Sequence, residues 1–206
     1  MRAWVWAVVL WCGIGGPDGA RGYAATSGGA GLQPQEVIEG VEAFTLRNGL
    51  QVLLVPEPSQ AKVTVEVVYR VGSRHEGAGE TGMAHLLEHM LFKGSSRYGD
   101  HRTAFQEHGA DFNAETSVDH TVYYETLLAT PDNLRFALDL EADRMLSARL
   151  SDRELQSEFS VVRNELEIGE NSPHEVLLQR LLRVAYAWHG YGRDTIGSRS
   201  DIERVP

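Results

Sequence analysis

Gly82-Met83-Ala84-His85-Leu86-Leu87-Glu88-His89-Met90-Leu91-Phe92 carries more structural and chemical information than any other part of this chain. Met83, Leu86, Leu87, Met90 and Leu91 recur at i, i+3, i+4, i+7 and i+8, the period of an amphipathic helix with one apolar face. His85, Glu88 and His89 fall together on another face. Residues three and four apart are neighbours on a helix surface, so both imidazoles can reach one cation. The carboxylate between them can touch a water bound to that cation.

The order H-x-x-E-H is the inverse of the H-E-x-x-H zinc motif. The usual order is absent: His174-Glu175 opens like one, but Leu178 stands where its second histidine would be. Taken alone, the five residues also fit a helix with two solvated histidines and a surface glutamate. A third ligand separates the two readings, because a zinc ion held by two histidines needs another protein ligand and keeps a fourth position for water.

Working outward, 206 residues with 42% hydrophobic content suffice for one core of ordinary domain size. A net charge of −10 argues against a nucleic-acid partner. Met1-Arg2, the mostly apolar Ala3 to Ile14 and the small residues up to Tyr23-Ala24-Ala25 have the layout of a secretory signal peptide, residues 1–25. The apolar run is too short for a membrane span, so none is expected after cleavage, and an exported protein, periplasmic or secreted, follows. An uncleaved anchor is the other reading of the same run. Cleavage removes Cys12, the sole cysteine, and with it disulfides and thiolate zinc ligation. Residues 26–36 read as a flexible leader and 37–206 as the folded domain.

Within that domain, Phe44-Thr45-Leu46 and Gln51 to Val55 flank Asn48-Gly49, a hairpin signal. Lys62 to Tyr69 reads as a central strand, and Asp111 to Thr116 and Thr121 to Leu127 as two more. Asp100 caps a short helix ending at Gly109. Thr130-Pro131 opens a helix with Leu134, Ala137, Leu138 and Met145 as its stripe, and Ser172-Pro173-His174-Glu175 opens another carrying Leu178, Leu181 and Leu182. Strands and helices in separate runs predict an α+β fold, an αβ sandwich or roll with helices on one face of a mixed or antiparallel sheet.

A helix from about Asp152 to Ile168 holds Leu155, Phe159, Val162 and Leu166 on one side. Glu158 and Glu165 border that stripe two turns apart, and a carboxylate beside a buried stripe needs a partner. Here the sequence resembles the pitrilysin/insulinase family of zinc metallopeptidases. The likeness rests on His85-Leu86-Leu87-Glu88-His89, on a downstream glutamate at the spacing of Glu165, and on Glu158 two turns before it. It extends to Val71-Gly72-Ser73-Arg74-His75-Glu76, Met90-Leu91-Phe92-Lys93-Gly94, Glu141-Ala142-Asp143-Arg144-Met145 and Tyr191 to Gly197.

The resemblance implies Zn²⁺ held by His85, His89 and Glu165, with Glu88 as the catalytic base and Glu158 supporting a ligand. It implies an endopeptidase that binds peptide as a strand added to a sheet edge. Asp111 to Thr116, with Asn113 and Ala114, resembles that edge, though an internal strand is its other reading. Family members are usually longer, with a second half built like the first, so a C-terminal half or partner subunit is expected to complete the active site. A non-catalytic peptide-binding or scaffold subunit is the alternative to a peptidase.

Overall fold

The computed structural model describes residues 5–12 and 34–204. The cleavage point near Ala24 or Ala25 and residues 26–33 of the expected leader lie outside them. In chain order the elements are β1 (Val5–Cys12), β2 (Glu36–Ile38), β3 (Val41–Thr45), β4 (Gln51–Pro56), β5 (Lys62–Tyr69), α1 (Met83–Met90), α2 (His101–Glu107), β6 (Asp111–Thr116), β7 (Thr121–Leu128), α3 (Pro131–Ser147), α4 (Asp152–Glu170), α5 (Pro173–Ala185) and α6 (Arg199–Ile202).

The fold is α+β. One seven-stranded sheet has the order β2-β3-β4-β1-β5-β7-β6. Every neighbouring pair is antiparallel except β1 with β4, so the sheet is mixed. The Asn48-Gly49 turn joins β3 to β4, and Gly49 takes φ +87, a left-handed conformation open to glycine without strain.

The apolar N-terminal run, expected to stand apart from the fold, forms β1 and separates β4 from β5. Its sequence, VWAVVLWC, is rich in the β-branched and aromatic residues that favour strands.

Alternation with a period of two sends Val63, Val65 and Val67 of β5, and Tyr123 and Leu127 of β7, to one face. There they pack against Phe92, Phe105 of α2, and Phe136, Ala137 and Leu140 of α3. A fully buried Val, Leu or Phe side chain among them is worth about 1.5–3 kcal/mol. The buried face of α3 differs from the expected stripe: Ala137 is buried, but Leu138 is exposed, and Phe136 and Leu140 fill the core with Glu141 and Arg144 beside them. In α4 the expected stripe holds. Val162 and Leu166 are buried and pack with Leu86 of α1 and Ile202 of α6, with Leu155 and Phe159 against them. On α5, Leu178 and Leu181 are exposed. Helix α1 thus lies between α4 and the β6–β7 end of the sheet.

Candidate metal centre

Helix α1 is held at its N-terminus by a side chain distant in sequence. The Glu76 carboxylate accepts from Gly82 N at 2.9 Å and from Ala84 N at 2.8 Å, filling two of the helix's open donors and setting a negative charge at the positive end of its dipole. Gly82 itself takes φ +89, and a Cβ there would come within 2.5 Å of the Ile196 carbonyl. That close approach packs the 194–198 segment against the start of α1. Thr81 then donates through Oγ1 to Asp201 Oδ2 at 2.6 Å, tying on α6.

On the helix so placed, the His85 and His89 rings stand edge to face with centroids 4.8 Å apart. Their Nε2 atoms are 3.3 Å apart. Glu165 Oε2, arriving from α4, lies 3.6 Å from His85 Nε2 and 3.5 Å from His89 Nε2. Ligand atoms about 2.0–2.1 Å from a tetrahedral zinc are about 3.3 Å from one another, so the triangle has the dimensions of one tetrahedral face. Burial, with His89 beside it, holds the His85 imidazole down to about 4, in the neutral form able to ligate. Among the described residues this is the group of histidines and carboxylates that could hold a metal.

The second nitrogen of His89 is also accounted for. Glu158, nearly fully buried, sets Oε2 3.1 Å from His89 Nδ1, while its Oε1 contacts the Lys93 ammonium. Burial raises the Glu158 carboxyl, but the bonds to Lys93 and His89 outweigh it and hold the group below its ordinary value. An ionised Glu158 only accepts, so Nδ1 carries the hydrogen and Nε2 keeps a lone pair for a metal. This is the outer partner that commonly orients a ligating histidine.

Glu88 is outside this triangle. Its Oε2 accepts from Thr116 Oγ1 at 2.6 Å, and burial raises its pKa above the ordinary carboxylate value despite that bond. The carboxyl groups of Glu165 and Glu115 push it the same way. A carboxyl raised above its ordinary value is better suited to taking and returning a proton.

These groups open onto a cleft of about 800 Å³. His85, Glu88 and Glu165 line it together with Ala114, Glu115 and Thr116 of β6. Strand β6 is the last in the sheet order, so its outer backbone edge has no strand beside it among the described residues. Of the two substrate-binding candidates, Ala114 lines the cleft. Asn113 is exposed on the same strand but is not one of the lining residues. Sequence reasoning assigned no role to Thr116, Lys93 or Glu76. Lys93 and Glu76 sit in the runs that carry the family resemblance, which was the signal available for them; Thr116 ends the Asp111 to Thr116 run that resembles the family's edge strand, but nothing in that run marks its hydroxyl.

The match to known proteins agrees with this geometry. The family model for Insulinase (Peptidase family M16) matches residues 51–199. The chain belongs to this family. It is 37% identical over 179 residues to the zinc protease PqqE of Helicobacter pylori, covering 85% of this chain and 40% of that protein. With the uncharacterized zinc protease YmxG of Bacillus subtilis it shares 31% identity over 164 residues, 79% of this chain and 40% of that one. Among solved structures, a protease from Helicobacter pylori superposes with a TM-score of 0.75 at 37% identity, over 81% of this chain and 40% of its own. The first half of the periplasmic protease PqqL from Escherichia coli superposes with a TM-score of 0.74 at 25% identity, over 85% and 39%. The chain therefore spans about two-fifths of the length of these M16 relatives. An M16 domain from Pseudomonas fluorescens described as inactive, 21% identical with a TM-score of 0.74, shares the fold. Among the described residues no helix is long and apolar enough to cross a membrane.

Proposed function

We propose that this chain is the metal-binding part of a zinc-dependent endopeptidase acting on extended peptides or small proteins. The observation that carries the reading is the triangle of His85 Nε2, His89 Nε2 and Glu165 Oε2, with edges of 3.3, 3.6 and 3.5 Å, beside a glutamate that is not part of it. A zinc ion bound there supplies a Lewis acid that acidifies water and polarises a peptide carbonyl. Glu88 takes the proton of the attacking water and delivers it to the leaving amine. Thr116 fixes one oxygen of Glu88, leaving the other for that transfer. The open edge of β6 offers backbone donors and acceptors to an extended substrate, which would lie along the cleft as an added strand.

Because the relatives are longer, turnover in this proposal belongs to an assembly that includes a C-terminal half or partner subunit. Export completes the reading: residues 1–25 are a signal peptide, in keeping with a relative that is named periplasmic. Cleavage there would take β1 out of the sheet.

The test is hydrolysis of a quenched peptide library by the competent assembly, with and without chelator, on protein whose zinc content and N-terminus are determined. One zinc per chain, loss of activity on chelation and its return with zinc are expected, with an N-terminus near Ala24 or Ala25. Hydrolysis untouched by chelator rules out the zinc reading. Bound zinc with no hydrolysis by the whole assembly favours the scaffold alternative, and an intact Met1 rules out the leader.

A further inference from the structure

We propose that Lys93 is a positioning residue for the metal centre, acting on His89 through Glu158. The inference rests on the zinc reading above. Lys93 lies three residues past the end of α1, and its backbone N donates to Met90 O at 3.0 Å, so the side chain starts from a fixed point at the helix end. Its ammonium contacts Glu158 Oε1, while Glu158 Oε2 accepts from His89 Nδ1 at 3.1 Å. The two oxygens of one carboxylate are thus held from opposite sides, by a cation and by an imidazole N–H. The carboxylate plane is pinned at both ends, and with it the direction in which His89 aims Nε2.

The cation is needed where it stands. The Glu158 side chain is 4% exposed, and a buried carboxylate is unfavourable unless a charge or several hydrogen bonds offset it. Among the described residues Lys93 is the lysine or arginine paired with Glu158. The other histidine of the proposed site has no comparable support: His85 Nδ1 is buried without a hydrogen-bond partner among the described residues. Among the described residues the outer hydrogen bonding of the histidine pair therefore runs through His89, Glu158 and Lys93. Losing the ammonium frees one end of the carboxylate to turn towards water, and His89 loses its fixed acceptor.

A double-mutant cycle on zinc affinity tests this, read by competition with a chromophoric chelator on the whole chain. Lys93→Met and Glu158→Gln are each expected to weaken zinc binding by about 10–100-fold. The double variant should be no weaker than Glu158→Gln alone, and Lys93→Arg should stay within about threefold of wild type, since it keeps the cation. A purely structural role would repeat the Lys93→Met loss in the Glu158→Gln background, and that result overturns the proposal. So does wild-type affinity in Lys93→Met. If Lys93→Met does not fold, Lys93→Gln takes its place in the cycle. Wild-type protein without zinc overturns the metal reading itself, and this inference with it, whereas a zinc-binding wild type with an unaffected Lys93 variant overturns only the latter.

Discussion

Two clusters in this molecule are built from the same residue types and do opposite things with charge. At the cleft, His85, His89 and Glu165 converge with ligand atoms 3.3–3.6 Å apart, and no lysine or arginine is paired with Glu165 among the described residues. In the core, His101, Glu125 and Glu141 surround Arg144. Its guanidinium is 3.0 Å from Glu141 Oε1 and stacks on the rings of Tyr123, Phe92 and Phe105 at 4.6, 5.1 and 5.5 Å. Burial, with Glu141 alongside, pushes the Glu125 carboxyl well up and favours its neutral form, leaving Glu141 to pair with Arg144. The core cluster carries its cation in the sequence and is sealed. The cleft cluster has no lysine or arginine paired with its carboxylate among the described residues, as the proposed zinc site requires. Histidines and glutamates in proximity therefore say little until the source of the positive charge is known.

The largest expected effect separates the two carboxylates at the cleft. Glu88→Gln keeps the size and removes the proposed base, so zinc should stay bound while turnover by the competent assembly falls by about 10²–10⁴-fold. Glu165→Gln replaces the proposed anionic ligand by a neutral amide, so zinc affinity should fall together with rate. Metal content and kcat measured on both variants decide the matter. Loss of metal from Glu88→Gln and its retention in Glu165→Gln would reverse the roles. Neither change affecting hydrolysis would dissolve the contrast between a recruiting site and a sealed one.

How much of this was legible beforehand follows the range of the interactions. The Asn48-Gly49 hairpin, the caps at Asp100, Thr130 and Ser172, and the Leu155–Leu166 stripe of α4 are set by neighbours in sequence, and a one-dimensional reading reaches them. His85, Glu88 and His89 share one helix face, so their spacing announces them, and Glu165 is placed by its distance along the chain in a family pattern. The insertion of β1 between β4 and β5 is a long-range pairing that no local pattern encodes. On α3 the buried face includes Glu141 and Arg144, and polar residues inside a core conceal the helical period, which is why Leu138 read as buried in place of Phe136. Thr116 and Lys93 matter through contacts that cross between elements, and a threonine or lysine carries no mark of such a contact in its own sequence.

The sealed cluster should respond in stability and not in metal. Arg144→Met leaves Glu141 buried without its cation, and breaking a buried pair this way costs about 3–5 kcal/mol. For a domain of this size that lowers Tm by about 10 °C. Zinc affinity of the folded protein should be unchanged. Adding Glu141→Leu removes the stranded carboxylate and should recover most of the loss, because an apolar replacement of a buried pair is often neutral. Thermal melts with zinc titrations check both. A double variant no more stable than Arg144→Met would mean that the guanidinium acts through its three aromatic contacts instead of its charge.

The smallest effect concerns His101, and it sharpens the contrast by pH. The residue is fully buried, with Nδ1 donating to Leu91 O at 2.8 Å and Nε2 2.9 Å from Ser95 Oγ. Burial, helped by the Arg144 charge, holds its imidazole down to about 4. In the unfolded chain it titrates near the usual value of about 6.5. Between those values the unfolded state binds more protons than the folded one, so stability falls as pH drops from about 6.5 to about 4. Below that window both states are protonated and the contribution levels off. His101→Gln keeps a donor and an acceptor for Leu91 and Ser95 but cannot titrate. It should be somewhat less stable than wild type near neutral pH and should lose less stability across the window. Urea unfolding at several pH values, with both proteins in the same metal state, isolates this share, since the other histidines cancel in the difference. Parallel curves for the two proteins would show that His101 is not held neutral, and the core cluster would then be less sealed than its burial implies.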